Sequence, residues 1–210
     1  MATATRTWTF DSDLESWSGT PSGATVMQWQ SGDGSPSPGC LEATLAGKNE
    51  NPGASYWEIA GTWASLFSIP AGVSVTEVGT APNNDYNWSC SEYTTGTGTN
   101  SVGPFELYDN TPTLQGTFSA EQGSVTSATS WVTVDGSAIS VPGAIQDSGT
   151  TIRLRLWVTL RTGNSNSAVV TMHQDTVAIT ITYSASTPAL SWSTKGQQQP
   201  VSEKPEVVGY

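Results

Sequence analysis

TIRLRLWVTLR, residues 151–161, alternates apolar and polar positions along its length. Ile152, Leu154, Leu156, Val158 and Leu160 point one way, while Arg153, Arg155, Trp157, Thr159 and Arg161 point the other. A strand turns successive side chains to opposite faces, so the first set faces a core and the second is left outside. The same period runs through MHQDTVAITITY, 172–183, where Val177, Ile179, Ile181 and Tyr183 oppose Ala178, Thr180 and Thr182. Further strands are predicted over 5–10, 25–30, 40–46, 54–60, 73–79, 86–93, 103–108, 114–119 and 129–134. A short strand at 138–141 follows Asp135-Gly136, a hairpin turn signal, and TGNSNSA, 162–168, reads as a hairpin-like loop. TWASLF, 62–67, suits one helical turn; no segment carries a long 3.6-residue period.

About a dozen short strands with turn punctuation make an all-β chain of two packed antiparallel sheets. The 210 residues suffice for one large domain that needs no staples. Only 12% of residues are charged, and 21 glycines and 12 prolines break the chain into short runs. Seven Lys plus Arg against 18 Asp plus Glu give a net charge of −11, which argues against nucleic acid, a partner that requires a basic face. Acidity instead favours a bound divalent cation. No 18-residue apolar run is present, so no membrane helix is expected, and MATATRTWTF lacks the basic and apolar regions of a secretory signal. With Met1 as the natural start, the chain is expected to be made in a cytoplasm and not exported by the usual route. Cys40 and Cys90 lie in strand-like contexts and read as buried thiols, with a single disulfide as the alternative.

After Tyr183 the pattern stops. Residues 184–210 hold three prolines and a glutamine run, and read either as a disordered tail or as an extended arm docking through Leu190, Trp192, Val207, Val208 and Tyr210. The domain boundary is therefore placed between residues 183 and 184.

The turn FDSDLESW at 10–17, the segment GDGSPSPGCLEATL at 32–45 and the ending QDTVAITI at 174–181 resemble the jelly-roll β-sandwiches of carbohydrate-binding modules, a galactose-binding-like fold also found in phage virion proteins. The resemblance spans about residues 5–183 and implies that first and last strands lie together. It also implies a structural calcium tying three segments, here Asp11, Asp33 and Asp175; hard oxygen ligands from distant loops suit that ion. Taken as residues alone, the three aspartates equally suit turns in which they accept backbone N–H groups.

Nine tryptophans supply aromatic faces. Trp157, outside the core by register and beside Arg153 and Arg155, is the best glycan or partner contact; Tyr86 and Trp88 form a second candidate surface. Trp8, Trp17 and Trp29 are assigned to packing. An arginine and tryptophan ladder also suits a protein interface. Catalysis is not expected. His173 is the only histidine and reads as structural, and Asp11, Asp13 and Glu15 share one turn instead of converging across a cleft. Glu58, Glu77, Glu92 and Glu106 sit in strands that can meet only through the fold. The expected function is a non-catalytic virion protein, decorating a capsid or tail and assembling with itself or other virion subunits, with surface glycans as further ligands. The alternative is an extracellular carbohydrate-binding module of a polysaccharide-degrading system.

Overall fold

A computed structural model describes residues 1–35, 38–79, 85–93, 100–125 and 127–184. The arm residues Leu190, Trp192, Val207, Val208 and Tyr210 lie outside that description. The chain opens with β1 (Ala2–Trp8), β2 (Ser18–Thr20), β3 (Val26–Ser31), β4 (Gly39–Ala46) and β5 (Ala54–Thr62). One helical turn, α1 (Trp63–Phe67), stands where TWASLF predicts it, with the Thr62 hydroxyl accepting from the Ser65 N–H as its cap. β6 (Ser74–Val78), β7 (Asp85–Tyr93), β8 (Asn100–Asp109), β9 (Leu114–Ser119) and β10 (Gln122–Val125) follow. The last five are β11 (Thr129–Asp135), β12 (Ile139–Ser140), β13 (Thr151–Thr159), β14 (Val169–Asp175) and β15 (Val177–Ser184).

Every ladder is antiparallel. A six-stranded sheet runs β10-β8-β13-β5-β2 with β9 also on β8, and a five-stranded sheet runs β11-β7-β14-β4-β3. A third, four-stranded sheet runs β1-β15-β6-β12. It exists because β14 and β15, one nearly continuous segment, break at Thr176, whose φ is 49°. Where two sheets are expected, the ladders thus divide into three, all contributing to one core. First and last strands pair from Ala2↔Tyr183 to Trp8↔Val177.

Two turn readings need correction. Asp135-Gly136 makes no hairpin, because β11 pairs β7 whereas β12 pairs β6. Residues 162–168 likewise carry the chain from the six-stranded sheet to the five-stranded one, held to the β4–β5 connection by Gly47 N–H to Ala168 O and Asn49 N–H to Gly163 O. Local turn chemistry reverses a chain; it does not choose which strand comes next.

Burial along β13 alternates strictly, and Ile152, Leu154, Leu156, Val158 and Leu160 are all within the core. Trp8 and Trp17 meet edge to face at 5.6 Å, and both are buried. Trp29 packs against the core with its Nε1–H on the Phe10 carbonyl at 2.7 Å. That carbonyl explains Gly39, where a Cβ would collide with it. Cys40 and Cys90 are buried thiols, pushed up to about 12 and about 11 by burial, with the nearby carboxylates of Asp175, Asp33 and Glu42 adding to the effect at Cys40.

Candidate functional site

The outer face of the six-stranded sheet is built by register. Arg155 is flanked by Glu58 on β5 and Glu106 on β8, Trp157 lies beside Tyr56, and Arg153 lies beside Tyr108. Directly opposed side chains on one face are neighbours, so three rows place aromatic and charged groups side by side. Glu58 takes both arginines: Arg153 Nη1 and Arg155 Nε each lie 2.6 Å from one of its oxygens. Arg155 is also held between two rings, 4.4 Å from the centroid of Tyr56 and 4.4 Å from that of Tyr108. Arg155 is consequently enclosed in the face, and Arg153 is tied to it through Nη1 while its side chain stays 27% exposed.

Glu106 is the second hub. Its Oε2 accepts from Trp157 Nε1 at 2.8 Å and from the Tyr108 hydroxyl at 2.5 Å, and its Oε1 from Thr117 Oγ1 at 3.4 Å. Burial, then the bond to this carboxylate, holds the Tyr108 hydroxyl above the ordinary phenol value, so it remains a donor. The Tyr56 and Trp157 rings sit 4.8 Å apart, tilted by 57°.

Beside Trp157 the ladder slips. Leu156 pairs with Phe105 and Val158 with Val102, so Gly103 and Pro104 together oppose Trp157. This bulge opens a groove of about 320 Å³ lined by Ala54, Gly103, Pro104, Glu106, Glu121, Trp157 and Thr159. Gly103, at a φ of 85°, lies where a side chain would press on the Tyr86 hydroxyl and the Ala120 carbonyl. The Glu121 carboxylate accepts from the Ser101 hydroxyl.

The sequence placed Arg153, Arg155 and Trp157 together, and the structure adds Tyr56, Glu58, Glu106 and Tyr108. Tyr86 and Trp88 require correction as a surface. β7 lies between β11 and β14, and its alternate residues Tyr86, Trp88 and Cys90 turn inward. Tyr86 meets Phe105 edge to face at 6.1 Å.

The aspartates fall into two groups. Asp175 is fully buried; its Oδ2 accepts the Ser35 N–H and its Oδ1 the Thr176 N–H, each at 2.6 Å. Burial pushes its carboxyl up to about 6, against those bonds and helped by the charge of Asp11. Asp33 instead lies with Glu42 and His173, one ligand atom from each falling within 4.8 Å of the others. The acidic turn at 11–15 is satisfied largely within itself: Glu15 accepts the Thr9 and Phe10 N–H groups, and Asp13 accepts the Glu15 N–H.

The Asp175 shift fixes a pH dependence. In the folded state the proton is held up to about pH 6, against an ordinary carboxyl value of 3.8. Stability from this group is full below the lower value and falls as pH rises through the upper one. At about 1.4 kcal/mol per unit the loss is roughly 3 kcal/mol. Denaturant unfolding in EDTA of the wild type and Asp175→Asn between pH 4 and 7 should show the wild type losing this much relative to the variant. A difference that stays constant with pH would refute the shift.

No protein-family model matches this sequence, nor does any curated protein. The solved structures it resembles include carbohydrate-binding modules. The xylan-binding CBM22-1 domain of Xyn10C from Paenibacillus barcinonensis is 11% identical, with 82% of this chain and 93% of that one covered at a TM-score of 0.43. The C-terminal family 22 module of Xyn10B from Clostridium thermocellum is 11% identical over 83% and 91%, with a TM-score of 0.45. TmCBM61, solved with β-1,4-galactotriose, is 12% identical over 80% and 89%, at 0.37. Identity and superposition this low leave the ligand to be argued from this chain's own side chains.

Proposed function

We propose that this chain is a non-catalytic glycan-binding module whose ligand is a neutral saccharide, held in the groove at Trp157. The carrying observation is that Glu106 anchors Trp157 and Tyr108 at a groove whose described lining holds two carboxylates and no Lys or Arg. Trp157 is only partly buried, so ring surface is left for the apolar C–H face of a pyranose, and Glu106 and Glu121 supply acceptors for hydroxyl donors. The two carboxylates at the groove, Glu106 and Glu121, disfavour uronates and sulfated sugars. Titration with neutral β-linked oligosaccharides and with a polyuronate, followed by tryptophan fluorescence and calorimetry, tests the reading. Binding to a neutral oligosaccharide and none to the polyuronate is expected; binding to no neutral glycan, or tighter binding to the polyuronate, overturns it.

Calcium is proposed on the same footing. Asp11 and Asp175 suit it: both offer hard oxygens, and a cation would relieve the charge that burial disfavours at Asp175. Asp33 fits this set less well, since it groups with Glu42 and His173. The ion would tie the first turn to the end of β14. A virion role gains no observation among the described residues, because the arm that would serve it lies beyond them.

A further inference from the structure

On the outer face of the five-stranded sheet, Gln28, Glu42 and His173 stand in one row, Glu42 opposite Gln28 on one side and His173 on the other. His173 Nε2 lies 3.1 Å from Glu42 Oε2. Asp33, just beyond the end of β3, brings a third ligand atom within 4.8 Å of both. We propose that Asp33, Glu42 and His173 form a site for a first-row divalent ion of the zinc class, independent of the glycan groove.

Four observations support it. The three ligands come from the loop after β3, from β4 and from β14, so an ion would join segments 9 and 131 residues apart in sequence. Each ligand is oriented by a neighbour: Gln28 Nε2 donates to Glu42 Oε1 at 2.7 Å, Gln30 Nε2 to Asp33 Oδ2 at 3.2 Å, and the Trp131 ring stacks on the imidazole at 6.3 Å and 23°. Such outer partners fix ligand geometry at metal sites. His173 is 2% exposed, whereas Asp33 is exposed, which leaves an entry from solvent. Finally, β3, β4, β7, β11 and β14 contain no Lys or Arg, so no such side chain of these strands offsets the two carboxylates.

An imidazole nitrogen with two carboxylates selects a borderline ion over calcium, whose ligands are oxygens. Binding would replace the contact between His173 and Glu42, and an inward shift of exposed Asp33 would bring the three to bonding distance. Water would complete the coordination.

The test uses the full chain without a histidine tag, stripped with EDTA and titrated separately with Zn²⁺, Co²⁺ and Ca²⁺. Zn²⁺ should raise the melting temperature by several degrees, and Co²⁺ should add visible d–d absorption. Asp33→Asn, a surface change expected to leave the metal-free melt within about a degree, should weaken Zn²⁺ binding at least tenfold; Glu42→Gln should do the same. No Zn²⁺ response, undiminished Zn²⁺ binding by both variants, or a response to Ca²⁺ alone would overturn the site.

Discussion

Trp57→Ala should destabilise the protein by about 4–8 kcal/mol, the largest loss we expect from any single core substitution. Trp57 is fully buried on β5, between β13 and β2. Its Nε1–H donates across the sandwich to Gln174 Oε1 on β14 at 3.0 Å. Truncating a buried tryptophan costs about 3–5 kcal/mol in transfer and cavity terms. Leaving a buried amide acceptor unpaired adds about 1–3 kcal/mol. Domains of this size have roughly 5–15 kcal/mol in total, so the variant should be partly unfolded at ambient temperature or close to it. Trp57→Phe separates the contributions: it keeps most of the packing and should lose about 1–3 kcal/mol, chiefly the bond to Gln174. Urea unfolding of the three proteins measures both. A loss under about 1 kcal/mol for Trp57→Ala would mean that Trp57 does not bridge the six- and five-stranded sheets.

The same residue shows where sequence reasoning stops. Alternation over 54–60 places Trp57 on a strand, and alternation over 151–161 places Trp157 outside the core; both hold because a strand's two faces follow from its period alone. The period does not say which face is inner when both are partly apolar. That is why Tyr86 and Trp88 read as a surface: they share a face, and packing against Phe105 and its neighbours decides that the face is internal. The two shortest misses have another cause, since β2 and β10 are three and four residues long and too brief to show a period. At the site, the arginines and Trp157 were legible as one strand's outer residues. Their partners were not, because Glu58 lies 97 positions from Arg155 and Glu106 lies 51 from Trp157. Glu58 and Glu106 were recognisable as strand carboxylates; only pairing of β5 and β8 onto opposite sides of β13 makes them hubs. The bulge at Gly103 and Pro104 had a cue in that dipeptide, yet its place opposite Trp157 depends on register. Asp33 shows the limit of analogy: the family resemblance grouped it with two other aspartates, whereas side-by-side pairing of β3, β4 and β14 brings Glu42 and His173 to it.

Trp157→Ala should lower affinity for a neutral glycan at least thirtyfold while the fold persists. The binding loss follows from the ring's position at the wall of the groove, where truncating a central aromatic contact costs about 2 kcal/mol or more. The fold should tolerate it because the side chain is partly exposed, outside the Ile152–Leu160 face that fills the core. Trp157→Phe discriminates between ring surface and ring placement. It retains an apolar face but cannot donate to Glu106, so it should bind more weakly than the wild type and more tightly than the alanine variant. Glu106→Gln probes the other end of that bond: one amide oxygen remains as acceptor for Trp157 and Tyr108, and a loss of about tenfold or less is expected. Titration calorimetry on the wild type and the two Trp157 variants should give affinities rising from Trp157→Ala through Trp157→Phe to wild type, and a thermal melt checks each fold. Equal affinity of Trp157→Ala and wild type, with both folded, would remove the groove as the binding site, because no other residue among its described lining presents an aromatic face.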